Sequence, residues 1–147
     1  MSRPFRFNLQ KVLDYRAQLE DQAKQALVRA QQAHQEKARE VALLDGNLAR
    51  HMEAMSSQAM QSAADIWLGR NYAKRLAEDL ALARQAEAQL LHEAQERRLE
   101  LVEKAKERKL LEKLKETQAK RHEQEEFRKE QAGFDEMATL RYRPPVV

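Results

Sequence analysis

From Leu76 to Leu114 apolar residues recur every three or four positions: Leu76, Leu80, Ala83, Leu90, Ala94, Leu101, Ala105, Leu111 and Leu114. Glu, Gln, Lys and Arg fill most of the space between them. One narrow apolar stripe on an otherwise charged helix is the pattern of a coiled-coil seam. The residues used are strong helix formers, because they keep most of their rotamer freedom in a helix. A helix of this kind cannot bury its stripe alone, so a partner helix must cover it.

The chain supplies a partner upstream. A second stripe runs Leu9, Leu13, Leu19, Ala23, Leu27, Ala30, Ala38, Val41, Leu44, Leu48, Met52 and Met55. Asn8 is a fitting N-cap for it, and Phe7 and Val12 stand at hydrophobic-staple spacing. Gly46 lies in phase with the residues around it. It reads as a helical glycine tolerated at a cost of about 1 kcal/mol. The stripe breaks where Ser56 and Ser57 begin. Ser62, with Asp65 three residues on, has the character of a capping box. The spacing therefore predicts helix 1 over about 9–56, a turn over about 57–62, helix 2 over about 63–131 and a disordered tail over 141–147. Phe134, Met137, Ala138 and Leu140 could carry helix 2 a turn or two past Gly133.

Two long helices joined by a short break make an antiparallel αα-hairpin. The fold class is all-α: one coiled-coil hairpin over 1–147, with a longer C-terminal helix that overhangs. A turn near position 60 sets Leu9 opposite about residue 111. Leu111, Leu114, Phe127, Phe134, Met137 and Leu140 then extend beyond the first helix's cover.

Composition supports the rod-like reading over a globule. Among 147 residues 35% are charged and 5% aromatic, and the mean hydropathy is −0.86. Coiled coils have this make-up. The three prolines, Pro4, Pro144 and Pro145, stand at the ends. With no cysteine, disulfides, thiolate metal sites and a cysteine nucleophile are excluded. No apolar run approaches the ~18 residues that cross a bilayer, and the first residues carry no secretory signal pattern. A cytoplasmic protein without direct membrane insertion is expected.

Candidate chemistry adds little. A hairpin register could bring His34 near His92, but no HxxxH or ExxH pair completes a metal site, so no metal and no cofactor is expected. Glu123, Glu125 and Glu126 would need a desolvated pocket to act as acid and base, so no catalytic residue is assigned and the chain is read as no enzyme. The net charge is +3. Residues 97–130 hold 12 Lys/Arg against 9 Glu, interleaved in sign. That describes a solvated helix flank better than a nucleic-acid surface. Ile66, Trp67 and Tyr72 are different. They gather the only Trp and one of three Tyr just after the turn, and such residues are enriched at binding hot spots. The competing reading is that they pack the hairpin end.

The opening Phe5-Arg6-Phe7-Asn8-Leu9-Gln10-Lys11-Val12-Leu13-Asp14-Tyr15-Arg16 resembles the start of FliJ-family flagellar export proteins. The ending Phe134-Asp135-Glu136-Met137-Ala138-Thr139-Leu140-Arg141 resembles that family's Asp-Glu-x-Ala close. The resemblance implies a coiled coil similar to the central stalk of rotary ATPases, acting in flagellar type III export. It implies three partners: a hexameric export ATPase, the cytoplasmic domain of the export-gate membrane protein, and export chaperones. It also implies peripheral association with the inner membrane at the flagellar base, and a part in flagellum assembly and motility. The family's gate contact uses exposed apolar residues early in helix 2, where Tyr72 and Leu76 stand, with Trp67 beside them. Asp79 and Ala83 continue that face with less apolar surface. At the other end Phe5, Phe7, Leu111, Leu114 and Phe127 are the residues expected to meet the ATPase ring. The alternative of another class is a spacer coiled coil or an injectisome stalk.

Overall fold

The computed structural model describes residues 3–57 and 62–146. Two helices account for nearly all of them: α1 (Gln10–Ser57) and α2 (Ala63–Arg141). They pack against each other as an all-α hairpin, with no strand among the described residues. Residues 58–61, where most of the predicted turn falls, lie outside the described residues.

The helix ends differ from expectation in two places. The first α1 bond is accepted by the Leu9 carbonyl from the Leu13 amide at 2.9 Å, after a tight turn in which the Gln10 amide donates to Phe7. The cap therefore falls on Leu9 rather than Asn8. With the cap on Leu9, Phe7 and Val12 no longer stand at the two staple positions; Phe7 is buried and Val12 40% exposed. At its other end, α2 runs ten residues beyond Gln131. Gly133 stays in the helical region with no positive φ, and Ala132, Glu136, Met137, Ala138 and Leu140 favour continuation. The helix stops at Arg141, just short of Pro144, where Arg143 is pushed out of helical geometry by the proline ring. Residues 142–146 are non-helical. The start of α2 is capped as the serine suggested: the Asp65 amide donates to Ser62 Oγ at 3.2 Å, and the Ile66 amide to the Ser62 carbonyl at 3.1 Å.

Contacts divide the chain into two compact units. In the unit of residues 21–102 the α1 seam runs Ala23, Leu27, Ala30, His34, Lys37, Val41, Leu44, Leu48, His51, Met55, alternating steps of four and three. The α2 seam answers with Gly69, Ala73, Leu76, Leu80, Ala83, Glu87, Leu90, Ala94, Arg97, Leu101 at the same spacing. All are buried or half-buried. A strict 3.5-residue repeat of this kind is what holds two helices in a left-handed coil. The helices run antiparallel: His51 meets Gly69, Asp45 meets Arg84, and His34 meets Glu87. Met55 covers Gly69 so closely that a Cβ there would stand 3.1 Å from the methionine's terminal methyl.

In the unit of residues 1–20 with 103–147, Leu13 and Glu20 are buried and Arg16, Lys104, Arg108, Leu111 and Lys115 half-buried. Glu20 is the one buried charged residue described. Its carboxylate accepts from Arg108 Nε, and Arg16 pairs with Glu107 at 2.7 Å. The chain before α1 prolongs the cover along α2. The ring of His122 donates to the Arg3 carbonyl at 2.7 Å, and the Phe5 ring lies 5.8 Å from His122. Cover therefore reaches past Leu111, which is half-buried, and past Gln118, also half-buried.

Candidate interaction faces

The candidate contact residues separate by burial. Near the start of α2, Trp67 is 65% exposed and Tyr72 54%. Asn71 Nδ2 donates to the Trp67 carbonyl at 3.0 Å. The Tyr72 ring meets His51 of α1 edge-on at 4.7 Å, and His51 donates to the Gly69 carbonyl at 2.8 Å. That ring contact fixes the tyrosine against the α1 surface and leaves its outer edge open. Leu76 is different. It is buried at 7% exposure within the seam, so its side chain belongs to the α1–α2 contact. The spacing of four that suggested one face with Tyr72 also suits a core position, and only the partner helix decides between the two.

In the other unit, Phe7 is buried, Leu111 half-buried and Leu114 39% exposed. Phe127 is 67% exposed. Phe5 and Phe127 come together: with Arg3, His122, Glu126 and Glu130 they line one shallow groove on α2. Beyond it Phe134, Met137 and Leu140 are exposed at 66%, 50% and 80%. Of the five residues expected at this end, Leu114 and Phe127 are exposed, Phe5 and Leu111 are half-buried, and Phe7 is buried.

The seam also holds polar residues, which an apolar stripe does not reveal. Arg108 is held above the ordinary guanidinium range, chiefly by its hydrogen bond to Glu20 and then by that to Glu112. Arg97 is raised chiefly by its hydrogen bond to Glu100, at 2.7 Å, and next by that carboxylate's charge. The signal that could have found them is the strict alternation of three and four, which lands on Glu20, Lys104 and Arg108 without regard to residue type. The histidines do not meet: His34 faces Glu87 at 3.5 Å, while His92 pairs with Glu96 on its own helix at 3.1 Å. Among the described residues no group of His, Asp and Glu could hold a metal ion, and no helix is long and apolar enough to cross a membrane.

Two long helices packed along a seam of apolar and polar positions place the chain in the class of all-α helical hairpins. A family model described as "Flagellar FliJ protein" matches residues 5–145. The chain belongs to that flagellar family, whose members are associated with flagellar protein export. No curated protein and no solved structure matches the chain.

Proposed function

We propose that the chain is a non-enzymatic part of the flagellar type III export apparatus, a stalk-like coiled coil that binds the hexameric export ATPase and couples it to the export gate. The observation that carries this reading is the groove in which Phe5 and Phe127 lie together beside His122. Two aromatics on a charged helical surface are what a ring's axial opening could grip, because rings bury much area at low entropic cost. Family membership supports the flagellar setting. The gate contact falls to Trp67 and Tyr72, which are exposed on the other unit. Leu76 serves beneath them by holding α2 to α1. Export chaperones are further partners, and the site of action is the cytoplasmic side of the membrane at the flagellar base.

The test is turnover of the purified export ATPase with and without the chain. Wild-type chain is expected to promote ring assembly and raise turnover. Phe5→Ala with Phe127→Ala is expected to weaken binding on the order of 10- to 100-fold, the effect of losing two hot-spot aromatics, with helicity by circular dichroism unchanged. Turnover that does not respond to saturating wild-type chain would overturn the proposal.

A further inference from the structure

α2 carries a second heptad stripe on the side away from its seam. Lys106, Lys109, Lys113, Glu116, Lys120, Glu123, Phe127 and Glu130 follow one another in alternating steps of three and four. Every one of them is exposed. The seam residues of the same stretch, Arg108, Leu111, Lys115, Gln118 and His122, are half-buried. The same spacing continued along the sequence of α2 picks out Val102 and Leu99 upstream, then Phe134 and Met137 downstream, all exposed. Positions in a 3.5-residue repeat stay on one side of a helix, so a second helix laid along that side of α2 would meet these residues in order.

The order of charges says which helix. The stripe is basic in its first half and acidic near its end, with large apolar residues outside both. Laid parallel on itself, it sets lysine on lysine. Laid antiparallel and centred between Glu116 and Lys120, it sets Lys106 on Glu130, Lys113 on Glu123 and Glu116 on Lys120. Lys109 then stands over the ring of Phe127, a cation–π pairing. Shifting this register by one heptad sets Lys109 on Lys120 in one direction and Glu116 on Phe127 in the other. We propose that this face binds a second copy of the chain, as an antiparallel, two-fold symmetric α2–α2 dimer in which each contact occurs twice. Within one chain Lys120 already meets Glu116 at 3.3 Å and Lys106 meets Glu103 at 3.5 Å. These pairs join the network across the dimer axis. Exposed ion pairs contribute little each, so the dimer is concentration-dependent and weakens with salt.

Sedimentation of the full chain tests this. The mass is expected to rise from 17.2 kDa toward twice that value as concentration increases, and the rise is expected to be suppressed in high salt. Lys106→Glu with Lys113→Glu, and separately Glu123→Lys with Glu130→Lys, should each weaken self-association tenfold or more. An equimolar mixture of the two double variants should recover it, because every reversed pair is again opposite in sign. None of these side chains is in the seam, so helicity by circular dichroism is unchanged. Since the chain has no cysteine, Glu116→Cys mixed with Lys120→Cys should form an oxidative cross-link that neither forms efficiently alone. A wild-type mass that stays at 17.2 kDa up to millimolar concentration overturns the proposal, whatever else the face then binds. So does a mixture that fails to recover association.

Discussion

Glu20 shows what a single seam position decides. An apolar stripe two helices long can slip by a heptad and still bury apolar surface. A buried carboxylate with one matching guanidinium makes that slip costly, because the slipped state leaves a charge without its partner. Glu20→Ala should therefore lower the urea midpoint of unfolding. Glu20→Leu together with Arg108→Leu should not, since replacing both partners with apolar groups is neutral or better. The comparison at Leu80, 4% exposed, is simpler. Leu80→Ala should cost on the order of 2–3 kcal/mol, the low end for a buried leucine, because water reaches a two-helix seam readily. Urea unfolding followed by circular dichroism measures all three. The guanidinium shifts place no pH transition in the working range. A group whose folded value is raised contributes fully below its unfolded value and loses that contribution only as pH rises through the folded value. For Arg108 and Arg97 that lies in strongly alkaline solution. At this scale Leu76 shows the limit of the sequence: a leucine four residues from an exposed tyrosine reads equally as a contact or as core.

For whole helices, the sequence was most legible where apolar spacing is strict. The start of α2 at Ser62 and the apolar seam positions from Leu76 to Leu101 are legible directly in it. Legibility fell at the ends, where two signals compete. Asn8 is the better capping residue, yet the tight turn at Phe7 sets the first helical bond at Leu9. Gly133 suggested a stop, yet nothing there demands left-handed geometry, so the good helix formers around it prevailed. A glycine held helical with nothing within 4 Å of where its Cβ would be is a site for improvement. Gly133→Ala should stabilise the last turns of α2 by about 0.5–1 kcal/mol, seen as slower amide exchange from Glu130 to Leu140. Phe127 is claimed by both faces of α2, the Phe5 groove and the second heptad stripe. Self-association and ring binding, on the function proposed here, exclude one another at that residue.

Across the whole molecule the two units differ in how far apart in sequence their contacts are. His51 reaches Gly69 across 18 residues, whereas Arg16 reaches Glu107 across 91 and Arg3 reaches His122 across 119. Closing a longer loop costs more entropy, though only slowly with length. The shorter-range contacts of the unit of residues 21–102 should form first and open last. Amide exchange should accordingly be slowest around Leu76 to Ala83 and fastest over Gln10 to Arg16; uniform protection along α1 would contradict this. Neither the distance of Phe5 from His122 nor the reach of the segment before α1 could be read from the stripes, because an extended segment has no period to reveal its partner.

The contact between Arg3 and His122 also sets a schedule. The chain is made from its N-terminus, so Phe5, Phe7 and Leu13 leave the ribosome long before the part of α2 that covers them exists. At synthesis rates of about 5–20 residues per second, the wait between the end of α1 and residue 122 is roughly 3–13 seconds. For that time the nascent chain presents its aromatic leading segment to whatever is near. A ribosome stalled before that point would hold a chain whose N-terminal segment has no cover of its own.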